Sequence, residues 1–184
     1  MKIGRLVART VIGGLFVGHG TQKLMGWFGG PGLAGTEQMM SGLSMHPTRR
    51  NALAAGLSET VGGTLLAAGL ATPLAAASLI GVMTTAIRKV HLKNGVWVTN
   101  GGYEYNVVLV AALLALVDGG PGELSLDAAL GIDDTGPGWA AAALLTGVAT
   151  STLAIELGRR SAPAQSDYAM PEPSTAGDPV TQRP

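Results

Sequence analysis

The chain has 184 residues, of which 47% are hydrophobic and only 13% charged, about half the charged share of a soluble domain, so the composition suits a lipid solvent. Its 12 basic and 12 acidic residues cancel and form no Lys/Arg-rich run, which excludes nucleic acid as a partner. Cysteine is absent, so the chain cannot carry thiol–disulfide chemistry, a thiolate-held iron–sulfur cluster or a C-x-x-C-H haem, and redox work would need a borrowed carrier.

In chain order, the opening MKIGRLVARTVIGGLFVGHG places basic residues before an apolar stretch, as a signal peptide does. We read it as a retained first helix, because no Ala-x-Ala-like cleavage site follows and further spans do. A helix needs about 20 mostly apolar residues to cross the hydrocarbon core. Leu6 to Leu24, Asn51 to Leu70 and Pro73 to Leu92 approach that length, and Glu104 to Val117 is shorter. Trp139 to Leu157, closed by Arg159 and Arg160, makes a fifth span. The turn Ala71-Thr72-Pro73 is so short that the second and third spans form an antiparallel hairpin. Met25 to Arg50 reads as a Gly-rich loop, with Trp27-Phe28 suited to the headgroup level. The segment 161–184 holds five of the ten prolines and reads as a disordered tail.

Counting Lys and Arg on the two sides places the N-terminus outside, with Lys23, Arg49, Arg50, Arg88, Lys89, Lys93, Arg159 and Arg160 cytoplasmic against Lys2, Arg5 and Arg9. The acidic loop from Asp118 to Asp134 is then external. The small-residue spacings Gly14-x-x-x-Gly18 and Ser58-x-x-x-Gly62 predict close helix packing, either within the bundle or in a homo-oligomer.

An ionisable group in mid-membrane costs roughly 2.5–3.5 kcal/mol on insertion scales and asks for a partner or a purpose. Glu59, centred in AAGLSETVGG, is the clearest case. His19 and Lys23 lie four apart on one helix face, and Arg88 and His91 lie three apart on another. Trp97, Tyr103 and Glu104 stand between the third and fourth spans. These residues are candidates for one polar cluster toward one end of the bundle. One reading is an ion-pair network that fixes helix order. The other is a head-group pocket, in which cations grip an oxygen while Glu59 or a histidine relays protons. His19 and His91 as haem ligands are a poorer match, and no metal-binding spacing is present. No residue is assigned a catalytic role.

Several dispersed motifs carry a family resemblance. Gly18-His19-Gly20-Thr21-Gln22-Lys23-Leu24 runs into Trp27-Phe28-Gly29-Gly30, and Glu59 is followed by Gly62-Gly63 and Leu65-Leu66. Arg88, His91 and Trp97 precede Gly101-Gly102-Tyr103-Glu104-Tyr105-Asn106, and Gly120-Pro121-Gly122 leads to Ser125-Leu126-Asp127. Over residues 4 to 130 this resembles the DoxX family of small bacterial and archaeal membrane proteins. The resemblance implies a four-helix membrane domain linked with redox processes. Related subunits belong to thiosulfate:quinone oxidoreductase, and mycobacterial members sit in a membrane complex with superoxide dismutase and a thiosulfate sulfurtransferase. The chain departs from the family in its apparent fifth span and its proline-rich tail, and its lack of cysteine argues against direct sulfur chemistry.

The expectation is therefore an all-α polytopic membrane helix bundle in the cytoplasmic membrane. It comprises a DoxX-like domain over residues 1–130, an additional transmembrane helix over 131–160 and the tail over 161–184. Its expected partners are the lipid bilayer, redox enzyme subunits and further copies of itself, with quinone as a non-covalent ligand. The alternative is a small-solute carrier or scaffold held together by its ion pairs.

Overall fold

The computed structural model describes residues 3–162, in which every regular element is helical and no strand occurs. Lys2 and all but the first two residues of the tail read over 161–184 lie outside the described residues. The helices are α1 (Ile3–Met25), α2 (Gly32–Gly42), α3 (Thr48–Ala68), α4 (Thr72–Ala86), α5 (Glu104–Gly119), α6 (Leu126–Ala129) and α7 (Pro137–Arg160). A π-helical turn, Ile87–His91, continues α4.

The neighbours run α1 to α3, α3 to α4 and α4 to α5, and α7 packs on α4 and α5. Their shared core is built on Leu66, Leu79, Ile80, Leu113 and Val117, all fully buried, with Ala143 contributed by α7. Among the described helices, α7 alone is both long and apolar enough to cross a membrane by length and composition. The others fall short for separate reasons. α1 carries Arg5, Arg9 and Lys23, α3 carries Arg49, Arg50 and Glu59, α5 has 16 residues, and α4 gives way to the π turn after 15.

Three sequence expectations need correction. The stretch from Met25 to Arg50 is not all loop, because it contains α2. Thr36 ties that helix down by donating to the Lys23 carbonyl at 3.1 Å, and Met40 packs near Ala52 of α3. The loop from Asp118 to Asp134 likewise contains α6, and its Asp127 is 3% exposed rather than solvated. The close-packing glycines on α1 are also Gly13 and Gly20 rather than Gly14 and Gly18. Gly14 and Gly18 face open space, whereas Gly13 and Gly20 meet Gly63 and Gly56 of α3 backbone to backbone. A seven-residue spacing on each helix builds this seam, in which a side chain at Gly13 would run into the Gly63 carbonyl. Gly13→Ala is expected to lower the melting temperature in detergent by several degrees, the cost of overpacking being about 1–3 kcal/mol. Gly14→Ala should leave it unchanged or raise it slightly; equal behaviour of the two variants would contradict the seam.

The hairpin between α3 and α4 is closed by local chemistry. Gly69 adopts a left-handed conformation (φ 65°). Leu70 N–H donates to the Leu65 carbonyl at 2.9 Å and Gly69 N–H to that of Leu66 at 3.0 Å, the two bonds of a Schellman end. Arg9 was counted in the sequence as an outer flanking charge. It is instead 3% exposed, and its guanidinium donates to the carbonyls of Ala67 and Leu124. Asp127 closes the turn from the other side, accepting from Ala71 N–H at 2.7 Å, Thr72 N–H at 3.1 Å and the Thr72 hydroxyl at 2.7 Å. A cation at the end of one helix and a carboxylate at the start of the next both complement the helix dipoles.

Candidate functional site

The α1–α3 seam aligns the polar residues of the two helices. Glu59, midway along α3 and only 2% exposed, faces Lys23 in the last turns of α1, with Lys23 Nζ 2.5 Å from Glu59 Oε2. His19 lies one turn before Lys23 on the same face, close enough to act on Glu59 electrostatically, and its Nδ1 sits 3.1 Å from Gln22 Oε1. Ser58 stands beside this group.

Lys23, Glu59, His19 and Ser58 line a cavity of about 690 Å³ that reaches every long helix. The cavity follows one face of α4 through Leu74, Ser78, Val82, Ala86 and Lys89. At 1.5 Å per residue that face is about 22 Å long. Polarity rises along it. Ile12, Leu15 and Phe16 of α1 accompany the Leu74 end, and His19 and Lys23 accompany the Lys89 end. α2 and the turn after it add the thioethers of Met39, Met40 and Met45, which suit a wall that must adapt to an irregular apolar ligand. α1 and α5 scarcely touch, and Leu15 and Tyr105, which line the cavity from these two helices, are each about half exposed. The slot therefore opens sideways between α1 and α5.

Of the residues singled out from sequence, the structure brings His19, Lys23, Glu59 and His91 to this one cavity. His91 lies 2.8 Å from the Gly101 carbonyl through Nδ1. The others do not line it. Arg88 turns to α7 and donates to the Thr152 hydroxyl at 2.9 Å, Trp97 is 66% exposed, and Tyr103 and Glu104 stay outside at the start of α5. Tyr105, read with Tyr103 and Glu104 at the entry to the fourth span, does line the cavity, and so do Lys89, Asn51 and Asn106, which were not among the cluster candidates. The spacing 78, 82, 86, 89 on one helix face marks Lys89 rather than Arg88 as the inward residue. Asn106 is buried and donates to Met83 Sδ at 3.3 Å. No group of three His, Cys, Asp or Glu side chains placed to hold a metal ion occurs among the described residues.

The family model described as DoxX matches residues 4–92, the segment that runs from α1 through the π turn and supplies most of the cavity wall. The chain carries a DoxX-family domain over these residues. The match ends before α5, so the motifs read between Gly101 and Asp127 as part of the resemblance lie beyond it. No curated protein and no solved structure matches the chain. The DoxX domain indicates a membrane protein, associated with the lipid bilayer.

Proposed function

We propose that this DoxX protein crosses the cytoplasmic membrane several times and holds a lipid-soluble small molecule in its slot, as an accessory or subunit of a quinone-linked oxidoreductase or oxidative-stress system. The observation that carries the reading is a charged pair, Lys23 and Glu59, set into the wall of a long, mostly apolar cavity that opens sideways. Ligand sites commonly combine an apolar wall with a few convergent polar groups in this way. A multi-pass arrangement is supported by what the helices turn outward. Val7, Val11 and Leu15 form an exposed stripe on α1, and Leu57 and Val61 on α3, Val107 and Val108 on α5 and Leu145 and Leu153 on α7 are also exposed. Meanwhile Arg9, Glu59, Asn106 and Asp127 are buried. Apolar outside and polar inside is the arrangement lipid favours. With α1 starting outside, the polar end of the slot faces the cytoplasmic leaflet.

A quinone suits this donor set. Lys23, His19 and Ser58 offer hydrogen bonds at one end, and the Leu74 end offers room for an apolar tail. A bound quinone would supply reversible two-electron, two-proton chemistry. The chain would hold the ring oxygens and deliver protons through Glu59 or a histidine of the slot. Solvent extraction and mass spectrometry of protein purified in mild detergent test this. Stoichiometric quinone in the wild type and its loss in Glu59→Gln/His91→Ala are expected; no quinone in either preparation would remove the redox reading.

A second reading, a carrier or scaffold held by its charges, is favoured by the direct Lys23–Glu59 contact, since each member satisfies the other without a ligand. Uptake of a solute by vesicles containing only this protein would support a carrier.

A further inference from the structure

Lys89 is left over from the charge pairing of the slot. Among the charged groups lining it, Lys23 and Glu59 neutralise each other at 2.5 Å, and His91 is engaged with the Gly101 carbonyl. Lys89 lines the cavity and its amine has no hydrogen-bond or ion-pair partner among the described residues, while its neighbour Arg88 is turned away to Thr152. Lys23, Glu59 and Lys89 together leave the slot one net positive charge, located at one end of a face about 22 Å long whose opposite end is apolar. The π turn that carries Lys89 takes an extra residue per turn, an irregularity that recurs at ligand sites.

We propose that Lys89 makes the slot a binding site for single-chain carboxylates, fatty-acid-like amphiphiles whose acid group meets the Lys89 amine while the chain lies toward Leu74, in competition with a neutral ligand. The charge, its position at one end and the length of the apolar wall all match such a molecule. The inference rests on the reading of the cavity as a ligand site, and goes beyond it by naming an acidic occupant and the residue that selects it.

The test is direct binding of dodecanoate and of dodecanol to the full chain in nanodiscs of zwitterionic lipid. The wild type should bind dodecanoate at least about tenfold more tightly than dodecanol, the scale expected of one charge-assisted hydrogen bond. Lys89→Met should bring dodecanoate down to the level of dodecanol and leave dodecanol binding intact, which also reports that the variant is folded. Lys89→Arg should keep the preference, and Arg88→Met should change neither ligand. Equal binding of acid and alcohol by the wild type would overturn the proposal and leave the cavity reading standing. An Arg88→Met loss as large as that of Lys89→Met would reduce the effect to general surface charge and overturn it as well. Displacement of dodecanoate by phosphatidylglycerol in the disc would make a bilayer lipid the occupant, and would overturn the single-chain assignment. No binding of either probe, together with no extractable quinone, would remove the ligand site itself.

Discussion

Asp127→Ala lowers the melting temperature in mild detergent by roughly 10 °C. The carboxylate accepts from Ala71 N–H, Thr72 N–H and the Thr72 hydroxyl, and its own N–H donates to the Gly69 carbonyl at 2.8 Å. Alanine preserves that last bond and removes the other three acceptor contacts in a place from which water is largely excluded. Each buried donor left without a partner costs about 1–3 kcal/mol, and Thr72 is only 1% exposed, so a total on the order of 3–5 kcal/mol is expected. At about 2–4 °C per kcal/mol for a chain of this size, the midpoint falls by roughly 10 °C or slightly more. Arg9 adds to the effect, since the removed charge is the one that complements its buried guanidinium. Asp127→Asn should be intermediate, because an amide keeps one acceptor oxygen. Thermal unfolding followed by circular dichroism distinguishes these cases, and an alanine variant that melts with the wild type would show that the turn is held by Gly69 and Arg9 alone.

That turn marks how far the fold was legible in the sequence. Ala71-Thr72-Pro73 announces a hairpin through proline alone, because proline fixes its own backbone angle and suits the first turn of a helix. Nothing local announces that Arg9 and Asp127, 118 residues apart in the chain, clamp that hairpin from two sides. Glu59 and Lys23 were recognisable because each is a charge in an apolar run, and the cost of such a charge is a local property of the sequence. The choice between Arg88 and Lys89 was not local. It depends on α7, whose Thr152 hydroxyl accepts from Arg88 at 2.9 Å and holds it out of the cavity lining. A composition-based reading finds α7 as an apolar helix but does not say which face of α4 it covers. The glycine seam failed for a related reason. Gly13 and Gly14 are adjacent and equally small, and only the direction of α3 decides which of them touches it.

The two readings of the polar cluster diverge most sharply when its charges are removed together. Glu59→Gln alone strands the Lys23 amine, and Lys23→Met alone strands a carboxylate that is only 3% exposed. Lys23 retains 21% exposure, so partial screening puts each single loss on the order of 3 kcal/mol rather than at the upper end of the range for buried pairs. The double variant Lys23→Met/Glu59→Leu should recover most of that stability, because burying two charges costs about as much as their attraction returns. It cannot recover the hydrogen bonds offered to a head group. A double variant that melts near the wild type but no longer retains extractable quinone would place the function of the pair in binding. The same melting temperature with quinone retained would make the pair a device for helix order only, and would move the head-group contacts to His19 and Ser58. If the double variant is instead as unstable as the singles, the pair contributes more than its mutual attraction. In that case the shape of the two side chains along the α1–α3 seam, where Gly20 and Gly56 leave no slack, is what the charges maintain.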